Sequence, residues 1–283
     1  MREKSYAKIN IALNVIKTLP NGYHDLDMIN VSVKLHDTLK IKFNNTGEIK
    51  VTSTDETLPT DERNTVVKII QKVKEQFKLD FGCNVHIIKR ISQQSGLGGG
   101  SGNAAAMLLA LNKKFKLNMT PVQLINFVKP ISSDAPYQLF TIPSRVKKTG
   151  EEVKPFDSKI KGKIFLIKPK SGNSTKEVFD SLNEETMVHP NINKVERAMK
   201  EGNIALLAKH CANSLTESAI ALNKDVEPIL KELKGMGFEV VGMSGSGSCC
   251  FAYSTNRKLY RLAKNHFVKE NYDICDAYKI IND

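Results

Sequence analysis

The densest run of chemistry-bearing sequence lies between Ser95 and Asn103, SGLGGGSGN, where glycine occupies positions 96, 98, 99 and 100 and again 102. Glycine loses more backbone freedom on folding than any other residue, so this density marks a place where something approaches the main chain closely. An apolar helical pattern, AAAMLLALNKKF, follows at once. Free amide groups and the positive end of a helix dipole would therefore converge on one point, which suits a phosphate, and Asn103 is placed to cap the helix. A flexible turn is the plainer alternative. Two common phosphate signatures are absent: no lysine follows the glycines as a Walker loop requires, and a dinucleotide fingerprint starting at Gly96 needs glycine where Ser101 stands.

The surrounding elements must position this segment. Ala7, Ile9, Ile11, Leu13 and Val15 alternate with Tyr6, Lys8, Asn10 and Asn14, the signature of a half-buried strand that points Lys8 and Asn10 the same way. After a turn at Asn21-Gly22, two further strands are predicted, over Ile29 to Leu35 and Leu39 to Phe43. Helical spacing of Val66, Ile69, Ile70, Val73 and Phe77 follows, capped by Asp61 or Asn64, then a strand from Asn84 to Arg90 leading into the glycines. Beyond a helix near Pro121 to Val128, the polar, basic stretch from Thr141 to Lys161 has no strong periodicity, and a domain boundary is expected near residue 155. Next come a strand at Lys163 to Ile167 and helices at Ile192 to Lys200, Ala205 to Ser218 and Val226 to Leu233. A second glycine loop, GMSGSGS, sits between strands at Phe238 to Gly242 and Cys249 to Tyr253, ahead of a helix near Lys258 to Val268 and a closing strand. No repeat of fixed period is visible.

Bulk properties narrow the function classes. A chain of 283 residues with 41% hydrophobic and 25% charged side chains can bury a full core, and two domains are expected. No apolar run approaches the about 18 residues of a membrane span, and MREKSYAKIN lacks the apolar stretch of a signal peptide, so the expected address is cytoplasmic, with no membrane partner. Five cysteines without C-x-x-C spacing argue against a disulfide framework or a structural zinc site, and no metal ligand set is predicted. A net charge of +12 favours anionic partners, but the lysines are scattered, and a solvated basic surface explains them better than a nucleic-acid patch. Oligomeric state is not legible beyond a monomer or a weak homodimer.

The segment SGLGGGSGNAAA resembles the phosphate loop of the GHMP kinases, and within them the branch acting on 4-diphosphocytidyl-2-C-methyl-D-erythritol. Similar matches, in the same order, are the AKIN strand with the GYH turn, the stretch DERNTVVKI and the loop GMSGSGSCCFAY. The resemblance implies an α+β, two-domain GHMP kinase fold. An N-terminal ATP-binding domain (1–155) would resemble ribosomal protein S5 domain 2, and a C-terminal domain (156–283) would be ferredoxin-like. It implies a small-molecule kinase using ATP, with Mg2+ carried mainly by the nucleotide. Asn64, Ser95, Gly96, Leu97, Gly98, Gly99, Gly100, Ser101, Gly102 and Asn103 would bind the nucleotide. Lys8 would polarise the reacting groups, and Asp134, in SSDAP, would accept the proton of the substrate hydroxyl. Tyr23, His24 and Phe179 would hold a cytosine ring, and Asn10 and Thr175 would face the substrate.

Simpler readings exist for several of these: an edge-strand lysine for Lys8, a turn or cap aspartate for Asp134, and turn closure for Tyr23 and His24. The match departs at Gly102 and Asn103, where the family has serine and aspartate. It departs again after Asp134, where APYQLFTIPSRVKK replaces V-P-F-F and a Gly-Gly segment, and at Asn30, where an aromatic is common. Another GHMP substrate of homoserine or mevalonate type, or a non-catalytic nucleotide- or RNA-binding relative, are the alternatives.

Overall fold

The computed structural model describes residues 1–282, which form two compact units interleaved along the chain. The first comprises residues 1–7, 35–91 and 98–141, the second residues 8–34, 92–97 and 142–282. The two contact units therefore do not divide at a single point near residue 155. Two long strands, β1 (Arg2–Thr18) and β2 (His24–Asn44), contribute residues to both.

In the first unit, the latter half of β2 pairs antiparallel with β4 (Gly82–Ile88), Leu39 opposite Ile87 and Ile41 opposite Val85. β3 (Ile49–Ser53) pairs parallel with β4, and helix α1 (Thr65–Phe77) makes the crossover between them. Helix α1 buries Val66, Val67, Ile69, Ile70 and Val73 on one side. Helix α2 (Gly99–Lys114) is apolar nearly all round, and its Ala104, Ala106, Met107, Leu108, Ala110 and Leu111 pack with Leu39, Ile41, Val85 and Ile87 into one core. Helix α3 (Pro121–Val128) starts at a capping box between Thr120 and Gln123, and the four-residue α4 (Ala135–Gln138) follows Asp134. The expected strand break inside β2 does not occur. His36 and Asp37 continue the extended backbone, and what reads as a polar interruption is one strand of 21 residues.

In the second unit, β7 (Lys163–Pro169) lies between β9 (Cys250–Tyr253) and β10 (Tyr272–Ile281), with β8 (Val240–Met243) beyond β9, all antiparallel. The polar, basic stretch without strong periodicity contains a hairpin of β5 (Ser144–Lys148) and β6 (Glu152–Pro155), with β5 paired to β2 from Leu26 to Asn30. Its signal is hidden because the buried positions are Ser144 and Val146, one polar and one apolar, and the half-buried Arg145 between them meets Asp27 at 2.6 Å and Glu196 at 3.0 Å, so no apolar alternation marks the strand. Helix α5 (Thr175–Asp180) is short, and α6 (Ile192–Glu201), α9 (Val226–Gly235) and α10 (Arg257–His266) lie close to where the periodicity puts them. The single helix expected over Ala205 to Ser218 is two, α7 (Ile204–His210) and α8 (Thr216–Leu222). Between them the chain extends to dock on β1, where Leu13 N donates to Ala212 O and Ser214 N to Leu13 O. That docking, with Lys8 N donating to Leu97 O, covers the free edge of β1, and residues 7–13 are buried on both faces, so the half-buried expectation for this strand is corrected. No helix of the described residues is long and apolar enough to cross a membrane.

Candidate active site

Helix α2 begins earlier than its apolar pattern suggests, so Gly99, Gly100, Ser101 and Gly102 form its first turn, with Gly98 as N-cap in a left-handed conformation (φ 68°). Gly98 supplies no side chain to cap the helix, and the first turn contains no acidic residue. The amides that a helix cannot satisfy internally are thus left for a ligand, at the positive end of the dipole. Asn103 does not cap the helix as expected; it lies inside it, buried, with Nδ2 donating to Asp37 at 3.2 Å. Position 102 has no room for a side chain, since a Cβ there would lie 2.4 Å from Ser5 Oγ and 3.4 Å from Tyr6 O.

Asp134 belongs to the same unit. The hydroxyls of Ser101 and Ser132 are 2.7 Å apart, and Gln138 Nε2 donates to Gly98 O at 3.4 Å, so both ends of the SSDAP turn and its short helix are tethered to the start of α2. Asp134 occupies the N-cap of α4 without a capping hydrogen bond, which removes the cap reading for its carboxylate. Asn64 caps α1 by accepting from Val66 N at 2.8 Å while donating to Pro59 O at 2.6 Å, so its side chain serves the fold, whatever its main chain offers a nucleotide.

Holding this first turn in place is a group the sequence reading overlooked. Asp37, 0% exposed, accepts from Arg90 N at 2.7 Å, Ile91 N at 2.8 Å and Lys89 Nζ at 2.8 Å, besides Asn103. Lys89 Nζ also reaches Ile91 O, and it lies 3.0 Å from where a Gly99 Cβ would stand. One buried carboxylate therefore joins β2, the end of β4 and the start of α2. A signal was present: Asp37 continues the inward series Val31, Val33, Leu35, Leu39, Ile41, and Lys89 the series Val85, Ile87, Ile91.

The second unit brings together Lys8, Asn10, the leading half of the glycine segment and the second glycine loop. Lys8 and Asn10 are 3% and 1% exposed, so Lys8 is not an edge-strand surface lysine. Lys8 Nζ donates to Asn10 Oδ1, and Asn10 Nδ2 donates to Asn30 Oδ1 at 2.7 Å, leaving the buried Asn30 Nδ2 without a hydrogen-bond partner among the described residues. Lys8 N donates to Leu97 O, and Cys249 N to Ser95 O. Ser244 Oγ links Asn10 N at 3.1 Å with Gly96 O at 3.0 Å. Gly96 adopts φ 72°, and a Cβ there would stand 1.9 Å from Ser244 O, so no other residue fits this crossing of two loops. Asn213 Nδ2 holds the carbonyls of Met243 and Gly245, and Asn173 Nδ2 that of Ser246. Thr175 Oγ1 is 2.9 Å from Ser246 Oγ, which puts this expected substrate residue against the second glycine loop.

His24 and Phe179 stack directly, centroids 4.4 Å apart and planes 18° from parallel, while Tyr23 is 57% exposed. A pyrimidine cannot lie between His24 and Phe179 at that separation. Burial holds the His24 imidazole below its usual range, against the opposing pull of the Glu184 and Asp180 carboxylates.

Comparison with known proteins places these features in context. A protein of Streptococcus equi subsp. zooepidemicus named putative 4-diphosphocytidyl-2-C-methyl-D-erythritol kinase is 34% identical, over 96% of this chain and 97% of its own. The models for the GHMP kinases N terminal domain and the GHMP kinases C terminal domain match residues 64–140 and 195–271. The chain belongs to the GHMP kinase family. A second relative of this GHMP-family chain, the 4-diphosphocytidyl-2-C-methyl-D-erythritol kinase of Lachnoclostridium phytofermentans, is 33% identical over 90% of this chain and 88% of its own. The two-domain fold is shared with a crystal structure of 4-(cytidine 5'-diphospho)-2C-methyl-D-erythritol kinase, with TM-score 0.81 and 22% identity over the whole of both chains. It is shared too with homoserine kinase from Cytophaga hutchinsonii, with TM-score 0.77 and 18% identity over 99% of this chain and 95% of that one.

Two measurements check this account of the site. Asp37→Asn leaves Lys89 buried without its counter-charge and should cost about 3 kcal/mol of stability in urea unfolding, with much of it recovered in Asp37→Asn/Lys89→Met. For His24, an NMR titration should give a midpoint below the usual value of about 6.5, rising toward it in Phe179→Ala. Since the folded value lies below the unfolded one, the stack's contribution to stability is complete above about pH 6.5 and is lost as the pH falls through the folded value.

Proposed function

We propose that this GHMP-family kinase transfers the terminal phosphoryl group of ATP to the 2-hydroxyl of 4-diphosphocytidyl-2-C-methyl-D-erythritol, a step of the non-mevalonate route to isoprenoids. Phosphoryl transfer is supported above all by the uncapped first turn of α2 with the Asp134 turn tethered to it through Ser101 and Ser132. The substrate assignment draws on the relatives that carry that name at 33–34% identity. Gly98 to Ser101 offer main-chain amides to the nucleotide phosphates, Gly102 N already donates to Gly98 O, and Ser95, Gly96 and Leu97 set the path of the chain into them. ATP supplies the phosphoryl group and brings Mg2+ on its own phosphates. The Asp134 carboxylate accepts the proton of the attacking hydroxyl, and Lys8, held by Asn10, polarises the reacting groups.

On the substrate side, Asn10 and Thr175 face the polyol and diphosphate. Asn30 Nδ2, buried and unpartnered, is an added donor. Stacking of the cytosine on Phe179 requires His24 to move off that ring, after which Tyr23 supplies the opposite face and His24 reads the base edge. We assign the evolutionary domains to residues 1–155 and 156–283. The enzyme is taken to work in the cytoplasm as a monomer or weak homodimer.

A substrate panel tests the proposal. With ATP and Mg2+, 4-diphosphocytidyl-2-C-methyl-D-erythritol should be phosphorylated in preference to homoserine, mevalonate and phosphomevalonate; preference for any of the other three would refute the substrate assignment. Asp134→Asn should lower kcat by about 100-fold or more with KM for ATP little changed. An unchanged kcat would remove Asp134 from the chemistry.

A further inference from the structure

We infer that the face of the first unit's sheet turned away from α1 and α2 is a binding site for a small anion carrying two or more phosphate groups. Alternation along β2, β3 and β4 sends Leu39, Ile41, Val51, Val85 and Ile87 into the core and their neighbours to the other face. The strand register then sets those neighbours in two rows. Lys40 lies opposite His86, which lies opposite Thr52; Lys42 lies opposite Asn84, which lies opposite Lys50. With Met1 and Arg2 at the start of the chain, and with Ile41 and Val85 between the rows, they line a cavity of about 510 Å³. That volume falls within the range of small-molecule sites.

The composition of this cavity selects its ligand. No aspartate or glutamate lines it, so Arg2, Lys40, Lys42 and Lys50 meet no carboxylate among the lining residues, in contrast to Arg63 beside Asp61 or Lys264 beside Asp276. Lysines on sheets often serve to block edge pairing, but β2 and β4 are internal strands of this sheet, so that role can explain Lys50 alone. Neighbouring strands lie about 4.8 Å apart and alternate residues of a strand about 6.7 Å apart, so the cations are spread too widely for one phosphate and suit a chain of two or three. His86 Nδ1 is 2.9 Å from Thr52 Oγ1, and with Asn84 these supply further hydrogen-bonding groups between the lysines. No Phe, Tyr or Trp lines the cavity, so the stacking platform of a single-strand nucleic-acid site is missing. A nucleoside triphosphate, a diphosphate ester and inorganic polyphosphate share this chemistry.

Calorimetric titration of the full chain, with the α2 site saturated by a non-hydrolysable ATP analogue, separates this site from the first. Inorganic tripolyphosphate should bind once more, with an affinity that falls steeply with salt. The affinity should drop about tenfold or more in Lys40→Gln/Lys42→Gln, and also in Lys50→Gln, but not in the exposed control Lys113→Gln/Lys258→Gln. Phosphorylated metabolites with diphosphate groups, titrated in parallel, identify the source. Absence of this additional binding, equal binding by the Lys40/Lys42 variant, or inorganic phosphate binding as tightly as tripolyphosphate would overturn the inference. So would a uridine 12-mer that bound more tightly than tripolyphosphate and lost its affinity in the same variant, which would give the face to nucleic acid.

Discussion

A single buried carboxylate governs the geometry of the phosphate cradle. Asp37 gathers two main-chain amides, a lysine and an asparagine, and those four donors come from the end of β4, the chain just beyond it and the first helical turns of α2. A carboxylate without partners would be strongly disfavoured in such an interior, and this one accepts four hydrogen bonds, so the elements that carry the donors can vary little in position. The consequence is felt at Gly99, where Lys89 fills the space that a side chain would need. Gly99 is thus crowded from beneath by Lys89 and Ile91, whereas Gly100 has only Thr65 Oγ1 at 3.9 Å below it and leaves its outer side to a ligand.

The second unit solves a similar problem with hydroxyls and amides. Ser244 clamps Gly96 and β1 together, while Asn213 and Asn173 hold the carbonyls of the second glycine loop. None of these contacts uses a charged group, and Lys8 is the cation buried beside them. A lysine held in a polar, enclosed setting is a stronger electrostatic element than one in water, because the surrounding dielectric screens it less.

How much of this was legible in the sequence depended on whether a residue's role was local. Alternation and helical spacing located α1, α3, α6 and α9 well, and the glycine segment declared itself through composition. Long-range demands were harder to read. The β5–β6 hairpin was hidden because β5 buries only Ser144 and Val146 and fixes the Arg145 between them through Asp27 and Glu196, and the break between α7 and α8 is imposed by pairing with Leu13 on β1. Asp37 and Lys89 sat in plain view as opposite charges on the inward registers of two strands, a pattern that becomes meaningful once the strands are known to pair. Gly102, which reads as a lost serine, is explained by Ser5, a residue far away in sequence whose hydroxyl occupies the neighbouring space.

The central claim is that the amides at the start of α2 receive the phosphates of ATP. The most direct test follows the backbone 1H–15N resonances of Gly98, Gly99, Gly100 and Ser101 while a non-hydrolysable ATP analogue with Mg2+ is added. The account predicts that these amides show the largest shifts in the protein, saturating at one equivalent, and that adenosine alone leaves them nearly unmoved. Saturable binding of the analogue with these four resonances unchanged would contradict it.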